Sequence, residues 1–167
     1  MSLSGQDSTA FLRAVGRVTL SFGRLEFHTA LLVQCLLCDN LRVGQTITSS
    51  MQIGPLLDLA VRLGRVRLAT DVERMRALEA LIAEVRSLVE KRHSVLHSFF
   101  GPDMGDGGRV GIRLRSKGHD VLQVSTTIVT PEALDKIADD AQALWPKLYD
   151  YLATLPPEIT ANYIAPA

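Results

Sequence analysis

Within six residues, 92–97, the chain places an arginine and two histidines, Arg92, His93 and His97, in the segment KRHSVLHSFF that runs from Lys91 to Phe100. These residue types can act together on RNA. The 2′-hydroxyl of an RNA strand is a built-in nucleophile, so cleavage needs a base for its proton, an acid for the leaving oxygen and a cation on the phosphate. His97, with an unperturbed pKa near neutrality, can move the protons. Arg92 can fork two donors onto the phosphate oxygens as charge builds. No metal cofactor is needed for that chemistry.

The same segment allows two other readings. Glu90, His93 and His97 follow one another at spacings of three and four, which on a helix gathers them on one face. A carboxylate and two neutral imidazoles can hold zinc or iron, with a further ligand from Asp103 or His119. The third reading is structural. Lys91, Arg92 and His97 near a helix C-terminus suit the helix dipole without any further role. An Arg in an apolar seam can also snorkel to water, meet a buried carboxylate, or set the register between paired chains.

The element that must position these residues is a long helix. Met75, Leu78, Ile82, Val85, Val89, Leu96 and Phe99 keep a helical spacing that defines one apolar seam, and Arg92 falls within it. Thr70 followed by Glu73 reads as the capping box that starts this helix. Gly101-Pro102 reads as its stop, just after Phe100.

An earlier helix, from about Ser8 to Cys38 with Asp7 or Ser8 as N-cap, carries a matching seam of Phe11, Val15, Val18, Phe22, Leu25, Thr29, Leu32 and Leu36. Two helices with matching seams are expected to pack side by side. In an up-down-up arrangement Glu26 or Thr29 would then meet Arg92. Gly16 and Gly23 lie seven residues apart on one face of the first helix. Each costs the helix about 1 kcal/mol, which points to a close helix approach or a partner surface.

Residues 39–54 read as a loop with room for a helical turn, after which Pro55 opens a short helix from Leu56 to about Leu68. Arg62, Arg65 and Arg67 sit opposite its apolar side, as a solvated face or as a phosphate-facing surface. Beyond Gly101-Pro102, residues 103–108 read as a loop. Residues 110–115 and 121–129 then alternate as the strands of a hairpin turning at 117–120. Thr130-Pro131 caps and opens a last helix to about Leu155, with Pro146 inside it, and the tail from Pro156 reads as extended.

Length and composition bound the whole. A chain of 167 residues at 47% hydrophobic content can form one domain with a real core, and only 5% aromatic content makes that core aliphatic. Residues 1–6 read as a disordered or appended start. Residues 1–115 carry 15 Lys and Arg against 11 Asp and Glu, whereas 116–167 carry 3 against 7. A basic front permits a phosphate ligand there, while the zero net charge argues against tight general nucleic-acid binding. Cys35 and Cys38 form a C-x-x-C inside an apolar helical run, with neither a second ligand pair nor a preceding strand, and read as small buried hydrophobes. The start lacks the basic-then-apolar pattern of a signal peptide, and the longest apolar run, 30–37, is too short to span a bilayer. The expectation is a cytoplasmic protein with no membrane contact.

The segment Arg92-His93-Ser94-Val95-Leu96-His97 resembles the R-x4-6-H signature of the HEPN superfamily (higher eukaryotes and prokaryotes nucleotide-binding domain), and so does its place near the end of a later long helix. The resemblance implies a mainly α, up-down helical bundle, with the small β-hairpin before the last helix. It also implies a homodimer in which two motifs face each other across a cleft, and a metal-independent ribonuclease in the active members. Arg92 and His97 match the two functional positions. His93 stands where Asn or Asp is usual, and keeps a hydrogen-bonding group with different reach and charge. Phe99 stands where one toxin branch carries Tyr, so regulation through that Tyr would not apply. On this reading Lys91, Arg62 and Arg65 are the cations available to an RNA backbone. An antitoxin or a nucleotidyltransferase is a candidate partner. Many members are non-catalytic binding modules, so a nucleotide-binding or protein-interaction scaffold stands beside the nuclease.

Overall fold

The computed structural model describes residues 9–37, 40–96, 98–103, 108–117 and 121–160. The chain is mainly α-helical with a small antiparallel sheet. Its elements in order are α1 (Thr9–Leu37), α2 (Leu41–Thr48), α3 (Ile53–Arg67), α4 (Val72–Leu96), β1 (Phe99–Asp103), β2 (Arg109–Lys117), β3 (Val121–Val129), α5 (Pro131–Thr154) and α6 (Pro157–Thr160). No helix among the described residues is long and apolar enough to cross a membrane.

Several boundaries differ from the sequence reading, each for a local reason. α4 ends at Leu96, and Phe99 and Phe100, expected to close it, form β1 instead. The sheet therefore has three strands in the order β1-β2-β3 rather than a lone hairpin. Pairing Phe99 with Ile112 and Phe100 with Gly111 gives these residues a ladder that a frayed helix end would not. Residues expected as loop form α2, capped by Asn40, whose side chain accepts from Val43 N at 3.2 Å. α3 begins at Ile53, which is buried, rather than after Pro55. The N-cap of α4 is Asp71 rather than Thr70, its carboxylate accepting from Arg74 N at 3.0 Å. Thr130 does cap α5, accepting from Ala133 N at 3.2 Å, with Pro131 as first helical residue. The tail expected to be extended contains the short α6.

The chain divides into two compact units. One comprises Met1–Ser21 and Leu88–Asp140, the other Phe22–Ser87 and Ala141–Ala167. In the first unit Phe11, Ala14, Val18, Leu88, Val95, Val129, Leu134 and Ala138 are buried, and the sheet lies among them. Phe11 packs edge-on against Phe100 with ring centroids 5.2 Å apart. Arg17 forks onto Asp135 and Asp139 at 2.5 Å each, tying α1 to the start of α5. Those two carboxylates raise the Arg17 pKa above its ordinary value.

In the second unit Phe22, Leu25, Leu32, Leu36, Leu57, Leu68, Leu78, Ile82 and Leu148 are sealed from water. Gly64 lets α3 and α4 approach, because a Cβ there would run into the side chains of Leu78 and Met75. Around this core, Arg65–Glu79, Arg86–Asp58 and Lys147–Glu84 form surface ion pairs, worth about 0–1 kcal/mol each.

Candidate functional site

In the last turns of α4, Arg92 lies four residues after Leu88 and three before Val95, both buried, so it shares their inward face. Its side chain is half-buried with Nε beneath the surface. The helix closes just beyond it: Ser98 N donates to Val95 O at 3.1 Å, and Ser94 and Ser98 hydroxyls turn back onto Lys91 O and Ser94 O. Lys91 is exposed, with its ammonium 3.9 Å from Asp140. Glu90 and His93 are exposed as well. His97, the second half of the motif, lies outside the described residues, as do His119 and the expected N-caps Asp7 and Ser8.

The other candidates belong to the second unit. Arg62 and Arg65 are exposed on α3, and Arg65 Nη2 donates to Glu79 at 3.0 Å. Glu26 is half-buried on α1. Thr29 is fully buried, and its hydroxyl donates to Leu25 O at 2.8 Å within its own helix. Among the described residues no group of three His, Cys, Asp or Glu side chains is placed to hold a metal ion. The set Glu90, His93 and His97 includes a residue beyond that range.

Among the described residues, a Cβ on Gly16 or Gly23 would meet nothing within 4 Å, so neither marks a close helix approach there. Cys35 is buried as a free thiol, and burial pushes its pKa up to about 12, consistent with a hydrophobe rather than a nucleophile.

Two features escaped the sequence reading. Arg109, in β2, is more deeply buried than Arg92, at 6% exposure; it donates from Nη1 to Gly101 O at 3.2 Å and stacks over Phe11 at 5.2 Å. The neighbouring Gly111 was its signal, since a glycine inside a strand marks a tightly packed side. The second is an aromatic group on α1 and α5, with His28 4.9 Å from Trp145 and flanked by Phe27 and Tyr149. His28 Nδ1 lies 2.7 Å from Arg24 O, which requires the proton on Nδ1.

Compared with protein-family models, curated proteins and solved structures, the chain matches none. What fold and site define is therefore a class, a mainly α protein with a three-stranded sheet and a half-buried arginine near the C-terminal end of α4.

Proposed function

We propose that this chain is a HEPN-type, metal-independent endoribonuclease acting in the cytoplasm as a homodimer. The observation that carries the reading is Arg92 itself, a permanent cation on the inward face of α4 between Leu88 and Val95, with the helix ending at Leu96. A residue at that position suits a phosphate clamp held by its own packing. His97, the next residue after that helix, supplies the proton transfers: it takes the 2′-hydroxyl proton as the oxygen attacks phosphorus, and its conjugate acid protonates the departing 5′-oxygen. His93 is the accessory polar group of the motif. The expected RNA substrate is single-stranded, where the sugar can reach in-line geometry.

The test is cleavage of a mixed-sequence RNA by purified protein in the presence of a chelator. Arg92→Ala and His97→Ala are each expected to abolish it while the variants stay folded and dimeric, and cleavage that survives both substitutions refutes the assignment. A second reading, a non-catalytic binding or interaction module, is favoured by the exposed apolar side of the sheet at Phe99, Val124 and Ile128. That reading predicts no cleavage by the wild type and RNA or protein binding that His97→Ala leaves intact.

A further inference from the structure

Gly23, Glu26, Phe27, Ala30, Leu31 and Gln34 recur at spacings of three and four, so they form one stripe along α1. The stripe lines a groove of about 700 Å³. Thr48 and Ser49 at the end of α2, Met51 just before α3 and Leu56 in its first turn complete the lining. All of these residues belong to the second unit. The volume is that of a small-molecule site.

The lining changes character along α1. Toward one end stand Glu26, half-buried, and Phe27, 64% exposed. A carboxylate beside an aromatic ring is the pair that holds an ammonium, through charge on one side and the ring face on the other. Toward the other end are Gln34 and Thr48, both buried. Gln34 Nε2 donates to Thr48 Oγ1 at 2.7 Å, and that hydroxyl donates onward to Gly44 O at 3.0 Å. The Thr48 proton is therefore spent inside the protein, and this end of the groove is polar without being charged. Ala30 and Leu31, with Met51 and Leu56, add apolar wall.

Among the described lining residues Glu26 alone is charged, and none is a cation. A phosphate or carboxylate ligand would meet a like charge there and nothing to offset it. Gly23 fits the same picture. A Cβ on it would meet nothing within 4 Å among the described residues, so packing there does not call for a glycine. A longer side chain at that position, one turn before Phe27, would stand across the mouth of the groove.

We infer that this groove binds a small organic ammonium compound, its cationic head against Glu26 and Phe27 and its apolar body along Ala30, Leu31 and Met51. The inference is independent of the α4 motif and of RNA, because the chemistry that holds an ammonium turns a phosphate away. Calorimetric titration of the full chain with phenylbutylammonium, and with phenylpentanoate as a carboxylate of like length, tests it, with backbone amide shifts locating the site. The ammonium is expected to bind saturably and at least about tenfold tighter than the carboxylate, as a charged hydrogen bond implies. Shifts should concentrate at Phe27, Ala30, Leu31 and Thr48. Glu26→Gln keeps the shape of the side chain and removes its charge, and Gly23→Leu fills the mouth. Each is expected to weaken ammonium binding about tenfold or more with the helical spectrum unchanged. Absence of saturable binding, equal affinity for the carboxylate, binding indifferent to both substitutions, or shifts that fall on β3 instead of α1 would overturn the inference.

Discussion

Leu78 of α4 fills the space above Gly64 of α3 that a Cβ would need, with Met75 Sδ 3.2 Å from the same point. Leu78 is fully buried, so it has nowhere to retreat. Gly64→Ala gains about 1 kcal/mol of helix propensity but overpacks this contact by about 1–3 kcal/mol. A net loss of about 1 kcal/mol is expected in urea unfolding. Gly16→Ala and Gly23→Ala, where a Cβ would meet nothing within 4 Å among the described residues, are expected instead to raise stability by about 0.5–1 kcal/mol each. A Gly64→Ala protein as stable as its parent would show that the two helices can move apart.

Arg109 anchors the sheet through Gly101 O and the face of Phe11. Arg109→Ala leaves that carbonyl short of a charged donor and opens a gap over the ring, a loss of about 2–3 kcal/mol. Amide exchange should accelerate in β1 and β2 more than in α3. Unchanged exchange in the sheet would contradict the anchoring role.

Tyr151 is buried, and its hydroxyl donates to Arg74 O at 3.0 Å. Burial, with the Asp71 carboxylate adding to it and Arg74 opposing, raises its pKa from 10 to about 12. A raised pKa favours the protonated folded state, so this contribution is intact below pH 10 and is lost as pH climbs toward 12. Stability should decline across that window in the wild type and decline less in Tyr151→Phe. Ultraviolet titration in which every tyrosine ionises near pH 10 in the folded protein would sink the claim.

Cys35 offers a check on the α1 core. With Cys38→Ala leaving it as the single thiol, a disulfide reagent at pH 8 should fail to react until denaturant is added, because the thiol is both sealed and held protonated. Rapid labelling of the folded protein would mean that α1 opens locally.

Long, strongly periodic helices were legible in the sequence. α1 and α5 fall close to where their seams and the Thr130-Pro131 start place them. The end of α4 was not, because Leu96 and Phe99 continue the helical spacing although Phe99 belongs to a strand; periodicity of two or three residues cannot distinguish a last turn from a first strand residue. Thr70 and Asp71 are adjacent capping types, and only the bond to Arg74 N decides between them. Arg92 was legible as an anomaly within an apolar seam, and it does lie between buried neighbours. Arg109 was not, because an Arg alternating with Val reads as the wet side of a strand. Burial depends on which side the helices cover, and that is a tertiary fact.

The sheet wears its lining outward. Arg109, Gly111 and Val129 are packed inside, while Phe99, Val124 and Ile128 face water. In the laboratory this means that a hydrophobic fluorescent dye will find a docking place on the fully native chain. Dye-based melting curves will begin bright, and the rise on heating will understate the transition. Intrinsic signals from Trp145 or from helix content will report unfolding where the dye baseline cannot.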